Sequence, residues 1–174
     1  MGGRARRVQG RRARPTLTPG VAPWRGALLA GTSVLVLDQV TKWWVVENLD
    51  SGRTIDLFWT LRLRTVFNTG AAFSQGEGLG PIFAVLILVV VALLVRLGAK
   101  ADDPIARICV GGIVGGAFGN LADRAFRSGD GFFGGGVVDF VDFQWWPVFN
   151  VADSVIVVGG LLIVLRGMRI DATR

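Results

Sequence analysis

VVDFVDFQWWPVFNVADSVI, residues 137–156, threads Asp139, Asp142, Asn150 and Asp153 through branched and aromatic side chains at the mouth of a long apolar run. Ionisable groups in such company must be solvated, paired or neutralised, and a carboxylic acid does this most easily by keeping its proton. If Asp139 and Asp153 are brought together, they cannot both ionise at close range. That mutual restraint is the electrostatic basis of an aspartyl dyad. The rest of the chain then reads as the scaffold that holds them.

The surrounding composition sets the solvent. The 174 residues are 51% hydrophobic and 18% charged, and the mean hydropathy is +0.51. That is too apolar for an ordinary water-soluble domain and indicates a single membrane domain. With no His and one Cys, a His-based triad, a zinc–His site and an internal disulfide are excluded. Cys109 lies in an apolar stretch and reads as a packing residue. A net charge of +6 would ordinarily raise nucleic acid as a partner, but the placement of the charges argues for a membrane instead.

Residues 1–25 form a polar tail containing Arg4, Arg6, Arg7, Arg11, Arg12 and Arg14, without apolar periodicity, and are expected to be a disordered basic tether. Leu28–Thr32, LLAGT, looks like a lipoprotein cleavage box, but Thr32 stands where the lipid-carrying Cys is required, so the first apolar run is read as uncleaved. Four spans are expected at about 26–46, 80–98, 105–123 and 148–166, within a membrane domain of residues 26–167 followed by a short tail, 168–174. Between the first two spans, residues 53–74 are expected to be a strand region outside the membrane. There Ile55, Leu57, Trp59, Leu61 and Leu63 alternate with Thr54, Asp56, Thr60, Arg62 and Arg64, as in one half-buried strand over residues 54–64. Residues 125–147 are read as an outer loop. Gly111, Gly115 and Gly119, with Gly112 and Gly116 beside them, repeat at the small-xxx-small spacing that lets membrane helices approach closely.

Four spans place both termini on one side. Of 19 Lys and Arg, 13 fall on the termini and the middle loop, which makes that side cytoplasmic by the positive-inside rule. Asp38, Lys42, Asn68, Asp123, Asp139 and Asp153 then converge near the outer face. The plainer readings stand beside this one: Asn150 as a helix cap with Asp153 in the first turn, Asp123 paired with Arg124 or Lys42, and Asp38 and Lys42 neutralising one another at i, i+4. Phe140, Phe143, Trp145, Trp146 and Phe149 read as an interfacial belt. A serine nucleophile (Ser33, Ser74 or Ser154 with Lys42 as base) is not selected by any spacing, and no G-x-S-x-G or HExxH occurs. Spacing alone favours Asp123 with Asp153, since Asn120 and Asp123, like Asn150 and Asp153, lie one helical turn apart.

DQVTK (Asp38–Lys42), FNTGAAFS (Phe67–Ser74), GGAFGNLADR, VVDF and FNVADS, in this order, closely resemble lipoprotein signal peptidase, the signal peptidase II family. The resemblance implies four transmembrane helices with a small extracytoplasmic β-cradle. It also implies a bacterial cytoplasmic-membrane aspartyl endopeptidase that cleaves diacylglyceryl-modified prolipoproteins before the lipidated Cys, and sensitivity to globomycin. The implied dyad maps to Asp139 and Asp153. Asp38, Lys42, Asn68, Gly70, Asn120, Asp123, Arg124, Asn150 and Ala152 become supporting or substrate-positioning residues. This chemistry requires no metal or organic cofactor, and we expect a monomer acting on prolipoprotein substrates in membrane lipid. The principal rival is a proton-coupled carrier using the same outer acids; the other is a non-catalytic assembly protein.

Overall fold

The computed structural model describes residues 24–49, 52–69, 80–100, 103–129 and 133–172. The Arg-rich tail, Gly70 and the rest of the FNTGAAFS motif after Thr69 lie outside the described residues. Helix α1 spans Arg25–Leu49, strands β1 and β2 Thr54–Phe58 and Leu61–Asn68, helix α2 Gly80–Lys100, helix α3 Pro104–Phe126, strand β3 Val137–Asp142 and helix α4 Val151–Ala172. The stretches expected at 26–46, 80–98 and 105–123 lie within α1, α2 and α3, and the one expected at 148–166 overlaps α4, which begins only at Val151.

The glycine ladder explains the bundle. Helix α3 packs against α1, α2 and α4, and its two small-residue stripes face different neighbours. A Cβ at Gly111 would collide with the Ala27 carbonyl and one at Gly115 with the Gly31 carbonyl, while one at Gly116 would sit 3.0 Å from the Ala152 carbonyl. Missing side chains thus bring α1 and α4 against α3 at backbone contact, the packing that membrane helices use where apolar burial gives no drive. Helix α3 begins with Asp103 accepting from the Ile105 amide at 2.9 Å and Pro104 in its first turn, so its orphan N–H groups are partly met. At the same end, Arg166 of α4 pairs with Asp103.

One end of the bundle carries a three-stranded antiparallel sheet in the order β1-β2-β3. The single strand expected over residues 54–64 is a hairpin. Phe58 pairs with Leu61 across a two-residue turn, and Ile55 pairs with Leu63, so the alternation survives in both arms. The turn carries no Gly, Pro, Asn or Asp signal because Trp59 itself adopts the left-handed conformation (φ 51), which bulky residues rarely take. Part of the expected outer loop 125–147 is also structured, since β3 lies within it. Val138 and Phe140 of β3 form a buried cluster with Val45 and Leu49 of α1, and Thr65 of β2 donates to the Leu49 carbonyl at 3.1 Å. Phe140 therefore belongs to this core, whereas Trp145 and Trp146 are exposed as expected of an interfacial belt.

The outward faces of the helices are apolar. Leu29 is 70% exposed, Leu97 63% and Val157 67%, a surface far more apolar than water-soluble monomers present. Among the described residues, two helices, 80–99 and 104–126, are long and apolar enough to cross a membrane by length and composition. Helix α1 is comparably long but carries Asp38 and Lys42, both fully buried against its neighbours.

Candidate active site

Strand β3 turns back on itself to build the site. After Asp142 the chain reverses through Gln144 (φ 67) and Phe149 pairs with Val141, the Phe149 amide donating to the Val141 carbonyl at 3.1 Å while the Val141 amide donates to the Phe149 carbonyl at 2.8 Å. That return sets Asn150, the residue before α4, beside Asp139. The Asn150 side chain accepts from the Asp153 amide at 2.9 Å, and Asp153 Oδ2 accepts from the Asn150 amide at 3.2 Å. This is a reciprocal helix cap. The capping reading is correct, and the same residue also reaches the second acid: Asn150 Nδ2 donates to Asp139 Oδ1 at 2.7 Å.

Around this centre the other polar residues interlock. Asn68, at the end of β2, donates to Asp139 Oδ2 at 3.0 Å. Asn120 donates to Asp153 Oδ1 at 2.8 Å and accepts from Lys42 Nζ at 2.8 Å. Lys42 also meets Asp38 Oδ2 and Asp123 Oδ2, each at 2.8 Å, so three acceptors receive the three ammonium protons of a fully buried lysine. The expected Asp38–Lys42 pair is thus one edge of a larger cluster. Asp38 Oδ1 accepts from the Ala152 amide at 3.0 Å, and Ala152 is small enough to seat α4 on Gly116.

Asp123, which spacing favours as the partner of Asp153, is committed elsewhere. Its Oδ1 accepts from Arg127 at 2.6 Å, and its Oδ2 from Lys42 and from the Val138 amide at 3.2 Å. The expected pairing with Lys42 is present, and the second base is Arg127 rather than Arg124, to which the i, i+4 relation within α3 points. Arg124 lies with its guanidinium 5.3 Å from the centroid of the Phe83 ring on α2, within the field of Asp139, Asp123 and Asp153. Its buried Nε has no hydrogen-bond partner among the described residues. A further acid at this end, Asp142, to which the sequence pattern assigns no role, binds Arg62 at 2.9 Å and Arg64 at 2.5 Å and locks β2 to β3.

The two acids of β3 are tuned in opposite directions. Burial pushes the Asp139 carboxyl up to about 6, helped by the charge of Asp153 and opposed by the hydrogen bonds from Asn68 and Asn150 and by Lys42. Burial also acts against ionised Asp142, but the Arg64, Gln144 amide and Arg62 hydrogen bonds outweigh it and hold that carboxyl down at about 2. A carboxyl poised near neutrality beside a second acid, both held by amides, is equipped to exchange protons with a substrate.

Helices with lipid-compatible outer faces, capped by a small sheet that buries such a cluster, define a membrane enzyme. Two solved structures have the same fold. A bacterial membrane enzyme determined by the in meso method at 2.3 Å resolution is 25% identical, with 85% of this chain and 90% of that chain covered and a TM-score of 0.73. A second, at 1.9 Å, is 26% identical, with 80% and 90% covered and a TM-score of 0.70. The family model for signal peptidase (SPase) II matches residues 31–169, and the chain belongs to that family. Among its relatives are the lipoprotein signal peptidase of Rhodococcus jostii (strain RHA1), 44% identical over 84% of this chain and 75% of that protein. The lipoprotein signal peptidase of Streptomyces coelicolor is 42% identical over 79% and 69%.

Proposed function

We infer that this protein is the aspartic endopeptidase that removes signal peptides from prolipoproteins, and that Asp139 and Asp153 carry the reaction. One observation supports that pairing above the others: a single residue, Asn150, holds both acids, its side-chain amide on Asp139 and its backbone N–H on Asp153. The pair shares one proton. The ionised member takes a proton from water as that water attacks the scissile carbonyl, while the protonated member polarises the carbonyl oxygen and then protonates the leaving amine. The unpartnered Arg124 Nε is a donor for a substrate carbonyl, and Asn68, Gly70, Asn120, Asp123, Ala152, Asp38 and Lys42 support the pair or the bound peptide.

In this reading all four helices cross the bacterial cytoplasmic membrane, with both termini and the α2–α3 connection in the cytoplasm and the sheet and the acids at the outer face. A monomer there meets a diacylglyceryl-modified substrate whose lipid stays in the bilayer while its peptide bond, just before the lipidated Cys, reaches water. Globomycin occupies the same site. The carrier alternative has no support: the acids gather at one end of the bundle and form no relay across it. Cleavage of a lipidated prolipoprotein by the purified full chain tests the assignment. Asp139→Asn and Asp153→Asn should each lower kcat by roughly a thousandfold or more, and wild-type turnover by either would remove the dyad.

A further inference from the structure

Arg62, Arg64, Arg127 and Arg166 each close an ion pair with an aspartate. Arg124 stands in the field of Asp139, Asp123 and Asp153, yet among the described residues it forms no ion pair and its buried Nε has no hydrogen-bond partner. A half-buried guanidinium beside three acids would be expected to settle on one of them, because an unmet buried charge is costly. Those acids are engaged elsewhere. Asp139 is held by the Asn68 and Asn150 side chains, Asp153 by the Asn120 side chain and the backbone N–H of Asn150, and Asp123 by Lys42, Arg127 and the Val138 amide. Arg124 meets instead the ring of Phe83, 5.3 Å from guanidinium carbon to ring centroid. A cation over an aromatic face at this distance is held electrostatically, and more strongly where water is excluded.

The packing of α2 places that ring. Gly80 and Ala84 are buried and Ile87 half-buried, at i, i+4 and i+7 on the side turned to the protein, whereas Ile82, Val85 and Leu86 are exposed. A Cβ at Gly80 would collide with the Phe133 carbonyl, which seats the start of the helix closely one turn before Phe83. Since α2 packs on α3, its first turn sets Phe83 against Arg124.

We propose that Phe83 is a positioning residue of the cleavage reaction, whose ring holds the Arg124 guanidinium off the Asp139 and Asp153 carboxylates, so that the acids keep their shared proton and the guanidinium meets the substrate peptide. The proposal rests on the dyad reading above. Without the ring, the guanidinium is free to swing onto Asp139, the acid whose charge acts on it most strongly, and an ion pair there favours the ionised carboxylate. The pair then gives up its shared proton at lower pH, and the donor for the substrate carbonyl is lost. The other charged groups around the pair are Asp38 and Lys42 from α1, Asp123 and Arg127 from α3, and Asp142 with its partners Arg62 and Arg64 in the sheet. Helix α2 brings no charge to this end, since its Arg96 and Lys100 lie in its last turns.

Phe83→Leu removes the aromatic face and keeps an apolar side chain. In the full-length protein in lipid nanodiscs, assayed with a diacylglyceryl-modified prolipoprotein, its kcat/KM should fall roughly tenfold, and the alkaline limb of the kcat/KM profile should move down by about one pH unit. Phe83→Tyr keeps the face and should leave that limb where the wild type has it. An alkaline limb unmoved in Phe83→Leu, whatever the fall in rate, overturns the proposal, and so does a limb moved equally in Phe83→Tyr. If Phe83→Leu does not fold, Phe83→Met carries the same expectation and the same refutation. Failure of the dyad itself reads differently: Asp139→Asn or Asp153→Asn would then cleave normally.

Discussion

Asp139 and Asp142 lie three residues apart on one strand and respond to acid in opposite ways. Asp139 titrates higher in the folded protein, at about 6, than the ordinary aspartate value near 3.8. The folded state therefore binds its proton more tightly, and the contribution is fully present below pH 3.8 and lost as pH rises through 6. Asp142, held at about 2, contributes stability above pH 3.8 that is lost as pH falls through 2. Thermal unfolding in micelles should show both signs: Asp139→Asn removes a loss of stability between about pH 4 and 6, whereas Asp142→Asn abolishes a gain between about pH 2 and 4. A wild-type stability curve in Asp139→Asn would contradict the burial argument. The residue types were legible in the sequence because acids among aromatic neighbours announce a cost that something must offset. Their partners were legible mostly where the spacing was local. The i, i+4 pair of Asp38 and Lys42 could be read directly and Lys42 stood as one of two alternatives for Asp123, whereas the contact of Lys42 with Asn120, some eighty residues away, depends on how α1 seats on α3.

At the scale of elements, the helices were readable and the sheet was only half so. Long apolar runs and a glycine repeat declare helices and their packing face, because lipid leaves the backbone no other way to meet its hydrogen bonds. The hairpin was hidden by Trp59 in a left-handed turn, and β3 by its pairing with the distant β2, which no local pattern reports. The glycine argument is tested by contrast within the same bundle. Gly115→Val should lower stability by about 3 kcal/mol, since its Cβ meets the backbone of Gly31. Gly160→Ala, where a Cβ meets nothing within 4 Å, should leave stability unchanged or raise it by up to about 1 kcal/mol through helix propensity. Equal melting temperatures for the two variants would show that the α1–α3 contact is looser than backbone packing. Asn150→Ala, which removes the cap of α4 and a donor to Asp139 together, should cost about 1–2 kcal/mol and lower kcat as well; a loss of stability alone would separate the cap from the chemistry.

For the whole molecule, the distribution of tryptophan makes the membrane orientation testable without any substrate. Of the 6 Trp, Trp24 stands at the start of α1, whereas Trp43, Trp44, Trp59, Trp145 and Trp146 lie towards the end of the bundle that carries the sheet, and those five are exposed. The Trp145 indole donates to Thr60 Oγ1 at 3.2 Å and Gln144 to the Thr60 carbonyl at 3.0 Å, so the hairpin tip and the loop before α4 form one aromatic rim beside Asp142, at the end of the strand that carries Asp139. Indole rings prefer the headgroup level, and in the proposed orientation a rim at that depth would set the acids where a lipid-anchored substrate meets water. In bilayers containing brominated lipids, Trp24→Phe protein should therefore be quenched more strongly by bromines near the headgroups than by bromines deep in the chains. Alkaline phosphatase fused at the C-terminus should be inactive and a fluorescent protein there bright, as the proposed topology with cytoplasmic termini requires. Strong deep quenching would place the rim inside the hydrocarbon, and an active phosphatase fusion would turn the bundle over; either result would take the acids away from the face at which an exported lipoprotein waits to be cut.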